Sequence, residues 1–298
     1  MPPLISIVLP TYNGARFLAD AIQSVIDQTV PQWELIVVDS YSTDDTPQIL
    51  AHFATLDDRI IITHNPREDG YLPGALNAGF RLAKGAYLTW FQDDNLYRPH
   101  ALETFLKVLQ ANPEIDIVYS DYTRIDSDSG VQTYVRAPQP NMLVRKSTVD
   151  VSFLYKREVD EAIGGYDETT FLVEDYDFWL RASMQFKLKT LHEDLHLYRF
   201  HEGTLTSQRK KQVLMVREGV LSRHLPHLPW ANRVDLARGY LHLSELAVGN
   251  GSSTRAIRYL LTAIRKQPFV VIRHVIKTML PRRIQKQAVK LYQRMQQI

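Results

Sequence analysis

No cysteine occurs among the 298 residues, so disulfides, thiolate metal sites and a thiol nucleophile are all excluded. No window reaches the roughly 18 uncharged apolar residues that a membrane-spanning helix requires. The start of the chain runs straight into a strand-like segment, Leu4 to Leu9, without a basic leader, so no secretory signal is expected. Glycine-rich phosphate motifs are missing too. Neither GxxxxGK[ST] nor a GxGxxG after the first strand is present, which argues against a P-loop NTPase or a nicotinamide-type Rossmann enzyme. The lack of a GxSxG elbow disfavours an α/β-hydrolase. Acid is absent from residues 249–298, where eleven Lys and Arg stand without one Asp or Glu. Set against a net charge of +2 for the whole chain, that +11 leaves −9 over the first 248 residues. Such asymmetry points to a basic segment with a partner of its own.

What remains is an ordinary globular composition, 45% hydrophobic. The chain is long enough for one large α/β domain with an appendage. Ile5 to Pro10 reads as a buried strand, with a turn at Thr11-Tyr12-Asn13-Gly14 and an amphipathic helix over about 15–28. Leu35 to Val38 and Ile60 to Thr63 are further strands. A helix is expected between them, with Pro47 in its first turn. Gly85 follows the next helix as an expected C-cap, and Tyr87 to Phe91 is the next strand. A helix and a strand at Ile115 to Tyr119 complete the alternation, which indicates βαβ units and a mostly parallel sheet. Beyond Asp121 the rhythm weakens. A hairpin turn is expected at Asp126 to Gly130, a loop over Arg136 to Met142, a helix from Val173 to Met184 and a strand at Leu195 to Phe200. After Gln208 the spacing predicts helices over 210–224, 231–248, 252–266, 268–279 and 283–297.

Chemistry is concentrated at strand ends. Tyr87 to Phe91 runs directly into Gln92, Asp93, Asp94 and Asn95, a cluster of hard oxygen donors suited to a hydrated divalent cation. Ligands of open α/β sheets collect outside the carboxyl ends of the strands, and right-handed crossovers would carry Asp39 and Asp94 to one edge. Glu174 and Asp175 open a later helix, and His201 follows the last strand. Blander readings stand beside these: Asp39 as a turn cap, Asp94 as a solvated turn residue, Asp175 as a helix N-terminal charge and His201 as a loop histidine.

Five blocks, in order, carry a resemblance: SIVLPTYNGARFLADAIQSVIDQT, WELIVVDSYSTDDT, GALNAGFRLAKGAYLTWFQDDNLYRPHAL, GGYDETTFLVEDYDFWLR and YRFHEGTLTS. Over about 4–208 the chain resembles the family 2 glycosyltransferases, inverting enzymes of the GT-A fold. The resemblance implies a Rossmann-like, mostly parallel sheet flanked by helices, with a C-terminal helical extension. It implies that Pro10, Thr11 and Tyr12 line a nucleotide base, that Asp39 accepts from that base, typically uracil, and that Asp93 lies in the nucleotide site. Gln92-Asp93-Asp94 stands at the family's D-x-D position, so Asp94 would ligate a divalent metal, Mg²⁺ or Mn²⁺. Asp175 would be the general base, with His201 near the diphosphate and metal, and Gln92, Asn95, Glu174 and Arg199 in support. Three departures from the pattern are visible: Gln92 for the first D-x-D carboxylate, Ser40-Tyr41 for Asp-Gly after the second strand, and Leu76 for an Arg.

The expected organisation is a catalytic domain over 1–208, with a nucleotide half at about 1–121 and an acceptor half at about 122–208, followed by a basic helical extension over 209–298. The function implied is transfer of a sugar from a nucleotide-sugar donor, UDP-linked, to a saccharide or lipid-linked acceptor in cell-surface polysaccharide or glycan synthesis. A catalytically degenerate module that binds glycan or nucleotide is the alternative that Gln92, Ser40 and Tyr41 keep open. Apolar residues at helical spacing among Lys and Arg over 249–298 suit contact with a membrane surface. A helical hairpin packed on the catalytic domain is the competing expectation. The lack of cysteine fits the cytoplasm, at the inner face of the membrane, and no nucleic-acid motif accompanies the charge.

Overall fold

The computed structural model describes residues 2–66, 71–126, 130–200 and 209–279. By density of internal packing, the chain forms two compact units. One comprises Met1–Leu143 with Ser147–Lys210, and the other Lys211–Ile298 with Val144–Lys146.

In the first unit, β1 (Ile5–Thr11) and β2 (Trp33–Asp39) are buried along their whole length. Strands covered on both faces carry continuous apolar runs instead of alternation, which is how both read in the sequence. Helix α1 (Leu18–Ile26) connects them, and α2 (Thr46–Leu56) leads to β3 (Ile60–His64). Helix α3 (Leu72–Leu82) leads to β4 (Tyr87–Trp90). These strands lie parallel in the order β3-β2-β1-β4. Beyond them come β5 (Leu96–Tyr97), α4 (Ala101–Ala111), β6 (Ile117–Asp126), β7 (Gln132–Val135) and β8 (Phe153–Lys156). Helices α5 (Arg157–Ile163) and α6 (Glu174–Ala182) precede β9 (Leu188–Phe200). The sheet continues past β4 as β8-β6-β9-β5, with β8 antiparallel to both neighbours, β9 parallel to β6 and β7 hairpinned on β6. It is the expected helix-flanked, mostly parallel sheet, mixed in its second half. Ile7, Leu35, Phe91, Phe105 and Leu154, all fully or almost fully buried, belong to the core under one face.

The register decides where the chemistry sits. Thr11 pairs with Asp39, and Asp39 with His64, so β1, β2 and β3 end level with one another.

Two sequence readings change. β9 begins at Leu188 rather than Leu195, because its first half is a half-exposed stretch with register shifts against β6 at Ser120 and Asp121. Gly85 is not a helix cap: α3 ends at Leu82, and Ala83 is already extended. A Cβ at Gly85 would lie 2.6 Å from Ser6 N and 2.9 Å from Leu4 O, so glycine is needed for the backbone to pass β1.

The second unit is helical: α7 (Lys210–His224), α8 (Arg233–Gly249), α9 (Ser253–Lys266) and α10 (Pro268–Met279). Asn232 and Asp235 form a capping box at the start of α8. Buried Glu218 accepts from Arg255 Nε and from Asn250 Nδ2, both at 2.7 Å, pinning α7 to the α8–α9 corner. Leu241, Ala263 and Val271 form a small core. The helix expected over 283–297 lies outside the described residues. Among the described residues no helix is long and apolar enough to cross a membrane.

Two glycine substitutions should move in opposite directions. Gly85→Ala forces backbone against backbone and should cost about 1–3 kcal/mol. Gly219→Ala, inside α7 with nothing within 4 Å of the added methyl, should add about 0.5–1 kcal/mol. Urea unfolding followed by circular dichroism reads both; an unchanged Gly85→Ala midpoint would contradict the close approach.

Candidate functional site

Loops after β1 and β2 are stitched together. Asn13 N donates to Ser42 Oγ at 2.9 Å, and Thr43 N donates to Asn13 Oδ1 at 2.8 Å. Gly14 N donates to Thr46 Oγ1 at 2.9 Å, and Ala15 N to Asp44 Oδ2 at 3.1 Å. Burial raises the Asp44 carboxyl, but the hydrogen bonds from Thr46 and Ala15 outweigh it and hold the group below its ordinary range. Asp44 is thus a turn-forming residue. Asp39, 3% exposed, accepts from Ser42 N at 3.1 Å and Ser42 Oγ at 2.5 Å on one oxygen, while its other oxygen lies 3.9 Å from His64 Nδ1. Tyr41 adopts a left-handed φ of 61° and stacks on the His64 ring with centroids 5.4 Å apart. Pro10 is buried and Tyr12 is 55% exposed, a ring presented to solvent at the strand ends.

The turn after β4 meets the same edge. Thr11 Oγ1 donates to Asp93 Oδ2 at 2.5 Å. A Cβ on Gly14 would fall 2.1 Å from that Asp93 oxygen, so only glycine admits the pair. Gln92 Oε1 accepts from Asn95 Nδ2 at 2.5 Å. Fully buried Asn95 accepts in turn from Arg199 N at 3.0 Å, and Arg199 Nε donates to the Asp94 carbonyl at 2.9 Å. Arg199, whose guanidinium is 4.6 Å from the centre of the Phe17 ring, thereby holds the 92–95 turn from the end of β9.

Asp175 and Glu174 open α6, after Leu172 at a φ of 81°. Tyr166 joins α6 to β4, its ring stacking on Phe178 with centroids 4.4 Å apart and its hydroxyl accepting from Trp90 Nε1 at 2.6 Å. Asn77 clamps the Tyr166 backbone on both sides, its Oδ1 accepting from Tyr166 N and its Nδ2 donating to Tyr166 O, each at 2.9 Å. Burial pushes the Tyr166 phenol well up, with the Asp160 and Asp175 charges adding to it. Asp177 is fully buried and accepts from Arg181 Nε at 2.6 Å, while the same guanidinium donates to Ile163 O and Gly165 O. The Gly164-Gly165 turn is thereby fixed against α6. Burial, then the neighbouring Asp175 charge, pushes the Glu174 carboxyl up to about 8.

The family description Glycosyl transferase family 2 matches residues 6–168, more than half of the chain. The chain is a family 2 glycosyltransferase. It is 30% identical over 262 residues to an uncharacterized glycosyltransferase of Rickettsia typhi, covering 83% of this chain and 79% of that one. Another, from Methanocaldococcus jannaschii, is 28% identical over 223 residues, 71% of this chain and 76% of its own. Staphylococcus aureus TarS 1–349, solved in complex with UDP-GlcNAc, superposes with a TM-score of 0.65 over 93% of this chain and 83% of that chain, at 16% identity. The mannosyltransferase PcManGT of Pyrobaculum calidifontis, in complex with GDP-Man and Mn²⁺, gives 0.56 over 90% and 82%, at 19% identity. Both likenesses show the GT-A fold.

Within this glycosyltransferase, each departure from the family pattern has a local partner. The Gln92 oxygen is committed to Asn95, and buried Ser40 accepts from Asn65 Nδ2 at 3.0 Å. Tyr41, where the resemblance expects glycine, adopts a left-handed φ that glycine reaches at no steric cost, and Leu76 is fully buried in α3. His201 lies outside the described residues. Among the described residues no three His, Asp or Glu side chains converge to hold a metal ion by themselves. Asp94 beside Asp93 offers the donor set that Mg²⁺ or Mn²⁺ takes when phosphate and water complete the shell. Sequence reasoning missed Tyr166, His64 and Leu172; only the glycine expected at 41 hinted at the left-handed turn. A separate cleft of about 420 Å³ opens at the opposite edge of the strands, lined by Trp33, Glu34, Arg59 and Lys84. Its Glu34 accepts from Ser6 Oγ and Lys84 N, both at 2.6 Å, and is structural.

Glu174 supplies a pH test. Its folded carboxyl keeps a proton up to about pH 8, against an ordinary value of 4.5. The folded state therefore binds more protons across that interval, and stability falls as pH rises through it. Glu174→Gln should match the parent melting temperature at pH 4, below the unfolded carboxyl's value, and exceed it at pH 8.5. Superimposable pH profiles for the two proteins would refute the buried, protonated state.

Proposed function

We propose that this family 2 glycosyltransferase moves a sugar from a nucleotide-diphosphate donor to a hydroxyl of a saccharide or lipid-linked acceptor, by single displacement with inversion, in glycan assembly. The observation that carries the reading is the Thr11–Asp93 hydrogen bond at the level where Asp39 ends β2, which gathers base-side and phosphate-side residues at one edge. On this reading residues 1–121 hold the nucleotide and 122–208 the acceptor.

Tyr12 offers its exposed ring to the base, beside Pro10 and Thr11, and Asp39 accepts from the base through the oxygen not used by Ser42. The Tyr41–His64 stack lies beside Asp39 at this end, where the base, uracil on this reading, would sit. TarS, solved with UDP-GlcNAc, supports a UDP-linked donor, and the mannosyltransferase solved with GDP-Man and Mn²⁺ supports a divalent cation. Asp94, with Asp93 beside it, would hold that cation. When bound, it neutralises the departing diphosphate as a Lewis acid. Arg199 supplies a fixed positive charge behind the same turn. Asp175 takes the proton of the attacking hydroxyl, a role worth roughly 10²–10⁴ in rate. Glu174, kept protonated by burial, places no second negative charge beside Asp175. The retained Asp94 and Asp175 favour catalysis over a binding-only module, because the departures at 40 and 92 are absorbed by Asn65 and Asn95.

Asp175→Asn should lower turnover by about 10²–10⁴-fold with donor binding intact. Asp94→Asn should weaken donor-stabilised binding of Mn²⁺ and lower transfer similarly. Thermal shift with UDP- and GDP-sugars, with and without Mn²⁺, followed by product assay on active donors, measures both. Full turnover in either variant refutes its assigned role, and binding without turnover across the donor panel favours the module.

A further inference from the structure

Helix α9 has three faces. Ala256, Tyr259 and Ala263 are buried against the rest of the helical unit. About a third of a turn away lie Ile257, Leu261 and Ile264, which are 58%, 50% and 40% exposed. Arg258, Arg265 and Lys266 occupy the remaining side, all exposed. On α10, Ile272 is 47% exposed beside buried Val271, with exposed Arg273 next to it. Single exposed aliphatics are normal on a surface, but a row at i, i+4 and i+7 on a helix is a contiguous stripe.

Charge selects what covers it. A second copy meeting the same patch across a two-fold axis would bring like charges together, since residues 249–298 hold eleven Lys and Arg and no acid. Residues 280–298 bring five of those cations and no acid, so they match the stripe no better. An apolar row flanked by cations fits a surface that is anionic outside and hydrocarbon inside. We infer that α9, with Ile272 of α10, docks in the interfacial layer of an anionic lipid bilayer, its aliphatic row entering the acyl boundary and Arg265, Lys266 and Arg273 meeting the headgroups. This goes beyond the transfer reaction and does not depend on it.

Sedimentation of the full chain with vesicles tests it. Binding is expected to vesicles of equal parts phosphatidylglycerol and phosphatidylcholine, little to phosphatidylcholine alone, with release in about 0.5 M salt as screening shortens the charge interaction. Ile257→Glu with Leu261→Glu should weaken binding at least about tenfold. Arg265→Gln with Arg273→Gln should weaken it about thirtyfold. Both variants should keep the parent melting temperature and donor binding. Failure to bind anionic vesicles, or equal binding to neutral ones, overturns the inference. So does parental binding by the glutamate variant. A lowered melting temperature in that variant would mean the stripe is already packed within the chain, and a dimer that it dissociates would assign the stripe to a second copy; either result overturns the membrane assignment. Loss of vesicle binding alone leaves the glycosyl-transfer reading untouched, because donor binding is read separately.

Discussion

The Thr11 hydroxyl donates to Asp93 while the Thr11 carbonyl accepts from Ser40 N at 2.9 Å, so one residue at the end of β1 sets the loops after β2 and β4 against each other. Hydrogen bonds to a charged group contribute about 1.5–3 kcal/mol, more than a neutral pair. The geometry also dictates its surroundings. The carboxylate oxygen lies where a side chain at position 14 would go, which demands Gly14. The level ends of β1, β2 and β3 then leave Thr11, Asp39 and His64 side by side. The acidic edge follows from parallel-strand register plus this single hydroxyl.

Left-handed backbone occurs at two loops of this edge and once before α6. Asn13, Tyr41 and Leu172 are the non-glycine residues with positive φ among those described, and they stand after β1, after β2 and before α6. Each such residue costs roughly 1–2 kcal/mol against its ordinary backbone. Asn13 is held by Ser42 and Thr43, and Tyr41 by its stack on His64. Backbone of this kind persists where surrounding bonds over-determine it, and its grouping at binding edges is a recurrent association. Tyr41 is informative because a glycine would adopt the same turn freely: a bulky ring at that cost implies a use for the ring.

Legibility in the sequence followed burial. β1, β2 and β4 are covered on both faces, so their residues form apolar runs bounded by polar turns, and the βαβ order could be read directly. β9 defeated that approach. Its LKTLHED half is half-exposed and paired through a bulge, so polarity concealed seven residues of strand. Gly85 misled for a related reason: a glycine after a helix signals a cap, yet this one answers to a β1 backbone almost eighty positions earlier in the chain. The carboxylates themselves were visible as types at strand ends. The Ser42 cap on Asp39 is local and agrees with the turn-cap reading, whereas Thr11 for Asp93 and Trp90 for Tyr166 are partners chosen by tertiary packing.

The departures from the family pattern gain sense from those bonds. Replacing a carboxylate by Gln92 removes one negative charge from an edge that already holds Asp93 and Asp94, and the amide oxygen is spent on Asn95 to shape the turn that Arg199 grips. Fewer carboxylates mean less mutual repulsion at that edge, where the turn closes on hydrogen bonds among Gln92, Asn95 and Arg199. They would also leave the protein contributing little of the cation's shell on the proposed reading, since Mg²⁺ and Mn²⁺ sites with one or two carboxylates rely on substrate phosphate for the rest. On the proposed reaction, cation and diphosphate then bind as a linked pair, each raising the affinity for the other by the same factor. An edge preorganised by its own hydrogen bonds and completed by its substrate would accommodate both Asp94 and the Gln92 that stands where the family pattern has a carboxylate.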